Sequence, residues 1–121
     1  MVYQLLPWLL ADEAGSIKPV ENTWRPKDLL HVAQAQALLR DVTRRYTHLD
    51  AARDEMETLD RGALYVKYLT RMRLALRAAN FAWQADQLMF IRAIAAFYSD
   101  YGAVLRLLQE DSQRGKLPVA E

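Results

Sequence analysis

Between residues 27 and 114 apolar positions recur at intervals of three and four, and only Gly62 and Gly102 break the pattern. That period is the mark of amphipathic helices rather than strands. No stretch alternates with period two over a useful length, so the expected fold is all-α. The pattern predicts a three- to four-helix bundle preceded by an irregular N-terminal segment. One stripe joins Val32, Ala35, Leu39, Val42, Tyr46 and Leu49, in a helix that Pro26 opens. A proline suits a first helical turn because its missing N–H would be unpaired there anyway. The acidic stretch 50–60 either extends this helix or forms a short one of its own, with Asp60 as an expected cap for the next.

A third helix is expected over residues 62–79, with Leu64, Tyr65, Tyr68, Leu69, Met72, Ala75, Leu76 and Ala79 on one arc and Asn80 as its end or kink. The fourth starts near residues 83–86 and carries the most regular stripe: Phe90, Ile94, Phe97, Tyr101, Val104 and Leu108, widened by Leu88, Ile91 and Leu105. Gly102 lies inside it, where it costs about 1 kcal/mol against Ala and allows close helix approach. Residues 1–25 are expected as an arm with a short helix over 7–14, residues 26–111 as the bundle, and 112–121 as a polar, flexible tail.

With 121 residues the chain suits one domain with a core of its own. The hydrophobic share of 52% argues against disorder. The absence of cysteine excludes disulfides, cysteine-bound zinc, iron–sulfur clusters and thiol catalysis. The N-terminal apolar run has no preceding basic residue, is interrupted by Pro7, and closes at Asp12 and Glu13. It is read as neither a signal peptide nor a membrane span, and the expected location is the cytoplasm.

No recognisable catalytic centre appears, and the expectation is a non-enzyme without metal or cofactor. His31 and His48 would lie roughly 25 Å apart on a straight helix, too far to share a metal. No Glu-x-x-His pair, glycine-rich phosphate loop or Cys-x-x-Cys-His haem attachment is present. The rival to that expectation is a haem held between a histidine and Met56, Met72 or Met89, against which single methionines at helical spacing are ordinary core.

Charge changes the picture more than composition does. The net charge is only +1, yet residues 61–85 contain no acid and carry Arg61, Lys67, Arg71, Arg73 and Arg77. Like charges at 67/71 and 73/77 cost roughly 0.2–0.5 kcal/mol each in an isolated helix. Nucleic-acid phosphate, the 50–60 acidic stretch, an acidic partner or salt bridges on a solvated face could each offset this. Trp24 and Trp83 suit plugs at the ends of the core. Leu5, Leu6, Trp8 and Leu9, together with Trp24, form a candidate partner-binding set, because a clustered apolar tip often docks on another protein.

Residues 37–46 (ALLRDVTRRY), 65–79 (YVKYLTRMRLALRAA) and 93–105 (AIAAFYSDYGAVL) resemble the early, central and closing helices of the small all-helical subunits of CRISPR effector complexes, especially the type III kind. The resemblance implies a non-catalytic antiviral-defence subunit that stacks with copies of itself and other proteins. It implies that a basic face lines the channel for RNA or single-stranded DNA. Lys67, Arg71, Arg73 and Arg77 would carry that contact, with Arg44 and Arg45 as helpers. The rival reading is a helical adaptor or assembly chaperone that binds only protein partners.

Overall fold

The computed structural model describes residues 32–115, which form four helices and, among themselves, no strand. They are α1 (Val32–Ala51), α2 (Arg53–Glu57), α3 (Gly62–Ala82) and α4 (Gln87–Gln113). The expected all-α bundle is therefore what the chain adopts. The arm over residues 1–25, with Leu5, Leu6, Trp8, Leu9 and Trp24, lies outside the described residues, as does His31.

α3 and α4 make the most extensive pairing, and α1 packs more on α3 than on α4. Their short connection, residues 83–86, makes α3 and α4 sequential neighbours. Local chemistry sets its exit: Asp86 is extended and its carboxylate accepts a 3.0 Å hydrogen bond from the Met89 amide. That bond satisfies one of the orphan N–H groups of the first turn. α4 closes with Gly115 at φ +70°, where its amide donates to Ser112 at 3.1 Å. This left-handed step beyond the last turn favours glycine.

The core follows the stripes. Phe90, Ile94, Phe97, Tyr101, Val104 and Leu108 of α4 meet Tyr65, Leu69, Met72 and Ala79 of α3 and Val42 and Leu49 of α1, all buried. Phe97 stacks on Tyr101 at 6.1 Å and meets Tyr98 edge-on at 6.0 Å. α4 is long and apolar enough to cross a membrane by length and composition alone. Twelve of its residues are nonetheless buried within this bundle, Asp100 and Asp111 among them, so its apolar face is the core itself.

Four expectations are corrected. Asn80 does not end α3, which runs on to Ala82, and its side-chain amide donates to the Leu76 carbonyl at 3.0 Å. Asp60 does not cap α3; the N-cap position belongs to Arg61, with no side-chain cap bond. Leu88 does not widen the core face but is 42% exposed. Val32 begins the α1 stripe in sequence but is 63% exposed, since the bundle's contacts start a turn later at Ala35. α4 runs on to Gln113, and Asp111 in its last turn is buried.

Candidate functional site

The cations of α3 sort by the direction in which each residue leaves the helix. Successive residues turn by about 100°, so Arg71 and Arg73 depart on opposite flanks. Arg71 turns to α4, where its guanidinium meets Asp100 at 3.2 Å and lies over the Tyr68 ring at 5.7 Å. Asp100 is 6% exposed, and a buried carboxylate needs such a counter-charge. Arg73 and Arg77 turn to α1. Lys67 is exposed nearer the start of the helix. Lys67, Arg73 and Arg77 make no ion pair with any described residue.

Arg44 and Arg45 of α1 share one carboxylate, Asp41, at 3.2 and 2.8 Å. Arg45 is 5% exposed and its guanidinium lies 5.1 Å from the Tyr101 ring and 5.7 Å from the Tyr98 ring. It is a core residue, and its place in the expected phosphate-binding set is corrected: burial keeps a surface ligand from reaching it. The stripe pattern hid this because an arginine was read as polar and solvent-facing. Its aliphatic stem lets it lie in a core when a carboxylate and ring faces receive the head.

Two Tyr–Asp–Arg clusters thus lock α4 to its neighbours. Tyr98 donates to Asp41, which also receives Arg45. Tyr65 donates to Asp111, which also receives Arg61 at 2.8 Å. Arg61 further donates to Glu110 and to the Leu107 carbonyl. Burial alone would push the Asp41 carboxyl up, but hydrogen bonds from Tyr98, Arg45 and Arg44 outweigh it and hold the carboxyl below its usual range. Burial and the bonded carboxylates push both tyrosine hydroxyls up. Nothing in the sequence marked these clusters, since the contacts that join one helix to another span 46 to 57 positions.

Arg73 and Arg77 line an open groove of about 520 Å³ between α1 and α3, with Tyr46, Asp50, Arg53, Leu76 and Asn80. Arg53 is paired with Asp50 at 3.0 Å. Three guanidiniums therefore face one carboxylate, which leaves the groove cationic. Beside it, on the outer crest of α3, Leu74 is 57% and Phe81 80% exposed. They are seven residues apart, two helical turns, and so share one side of the helix.

Two further groups bear on chemistry. Glu55 is 2% exposed, neither carboxylate oxygen has a hydrogen-bond partner, and burial pushes its carboxyl up. It stands among core residues and outside the groove. No group of three His, Asp or Glu residues able to hold a metal occurs among the described residues. Met56 and Met72 are fully buried core, whereas Met89 is 44% exposed.

Comparison with known proteins returned no matching family model, no similar curated protein and no similar solved structure.

Proposed function

We propose that this chain is a non-catalytic helical subunit of a larger protein assembly, held there through the outward face of α3. The observation that carries the reading is an exposed Leu74–Phe81 strip flanked by Arg73 and Arg77, whose charges meet no described carboxylate. Covering each of those side chains is worth about 1.5–3 kcal/mol. Solvated carboxylates on a partner would steer its approach and fix its register. The partner's chemistry follows: a surface with an apolar centre and an acidic rim. The same face of a second copy does not meet that description, because residues 61–85 offer no acid.

One observation favours a second reading, in which the assembly handles nucleic acid. The groove of Arg53, Arg73 and Arg77 has room for a phosphodiester backbone, and Phe81 presents a free ring face on which a base could stack. This fits the resemblance to CRISPR small subunits, although Arg71, Arg44 and Arg45 are committed to Asp100 and Asp41. Two phosphate contacts, from Arg73 and Arg77, on a single strand give a log–log salt slope of about −1.4.

One experiment separates the two. The tagged full chain is purified natively from its own cells beside L74S/F81S and R73E/R77E variants, and bound protein and nucleic acid are both quantified. On the protein reading, one stoichiometric protein is lost from both variants and the 260/280 nm absorbance ratio stays that of protein. Nucleic acid retained by the parent and lost from R73E/R77E transfers the conclusion to the second reading. A partner retained by both variants defeats the first.

A further inference from the structure

Arg73 and Arg77 both open onto the groove between α1 and α3. Residues four apart are neighbours on one helix face, so their guanidiniums repel each other. Neither makes an ion pair with a described carboxylate. The third cation of the groove, Arg53, already donates through Nε to Asp50 at 3.0 Å, and Asp50 is the one acid in the lining. Two neighbouring positive charges are therefore left for whatever fills the groove. A carboxylate brings one negative charge and a planar pair of oxygens, which suits a single guanidinium fork. A phosphate monoester brings a charge of about −1.5 to −2 at neutral pH and three strong acceptor oxygens. It can answer both forks at once, and a groove of about 520 Å³ admits it.

We infer that the groove receives a phosphoserine or phosphothreonine of the protein partner, so that the assembly forms only with the phosphorylated partner. The inference rests on the protein reading of the outward face of α3 and adds the chemistry of the partner's acidic rim. The neighbouring strip decides where the phosphate comes from. Leu74 is 57% and Phe81 80% exposed beside the same two arginines. A free phosphate or a small phosphate ester in the groove would leave both bare. A polypeptide that carries the phosphate covers them as it docks. A phosphodiester, with one charge per phosphate, matches the arginine pair less well.

Two arms test the inference. In the first, phenyl phosphate, diphenyl phosphate and benzoate are titrated into the full chain near neutral pH, followed by NMR of the arginine side-chain N–H signals. Phenyl phosphate should bind roughly tenfold more tightly than either monoanion. R53Q leaves the Asp50 charge facing the groove and should remove that preference, with helicity unchanged by circular dichroism. R77Q repeats the measurement should R53Q misfold. In the second arm, the partner purified with the chain is released in high salt, dephosphorylated and remixed. It should no longer rebind, whereas mock-treated partner should. Equal affinity for phenyl phosphate and benzoate overturns the inference. So does a dephosphorylated partner that rebinds; if the preference for phenyl phosphate persists, that result assigns the groove to a small phosphate ester instead. Either failure leaves the proposed function standing, because that reading falls when L74S/F81S and R73E/R77E keep the partner.

Discussion

Single residues carry the sharpest pH dependence. Glu55 is buried without a hydrogen-bond partner and its carboxyl is pushed above its ordinary value of 4.5. A group raised on folding stabilises below its unfolded value and loses that contribution as pH climbs through the folded one. Replacing it by E55Q removes the ionisable proton. The variant should gain about 1 kcal/mol at pH 7.5, roughly 5 °C in Tm, and match the parent near pH 4. A loss of Tm at pH 7.5 would show that Glu55 is satisfied in solution. Asp41 has the opposite sign: its lowered carboxyl adds stability above 3.8 that is lost as pH falls further. The stripe pattern discloses neither residue, because burial is a property of the packed neighbours.

At the scale of the helix, α3 is fixed at its start and divided along its length. A Cβ on Gly62 would stand 2.3 Å from the Glu57 carbonyl oxygen. The obstacle is backbone that cannot rotate away. G62A should therefore cost about 1–3 kcal/mol, measured by urea denaturation, even though alanine is the better helix former. The cations of the same helix differ among themselves. R71A strands the buried Asp100 carboxylate and should cost about 1–3 kcal/mol, whereas R73A and R77A should stay within about 0.5 kcal/mol of the parent. Equal effects at all three positions would refute the division of α3 into a structural and an outward flank. The helix itself was legible in the apolar spacing, its acid-free composition equally so. Which cation met a carboxylate was not, because Asp100 lies on another helix nearly 30 positions away.

For the whole molecule, the two Tyr–Asp–Arg clusters act at separate places on α4, since Tyr98 and Asp111 are about 20 Å apart along the helix. D41N and D111N should each destabilise, and their effects should add within about 0.5 kcal/mol. A coupling much larger than that, in a double-mutant cycle followed by chemical denaturation, would mean that the clusters share one network. The class of fold and the core stripes Val42–Leu49, Tyr65–Ala79 and Phe90–Leu108 were determined by the order of residues alone. Apolar period is a local property, and hydrophobic burial enforces it whatever the partner helix. The start of α4 near residues 83–86 was likewise visible in the sequence. Tertiary structure alone decided the fate of the charges. It drew Arg45 into the core and committed Arg71 and Arg61 to carboxylates distant in sequence. Arg73, Arg77 and Lys67 were left facing outward, and Asp111 became buried. The reason is physical: an ion pair depends on a few ångströms between groups whose separation along the chain carries no information about their distance in space.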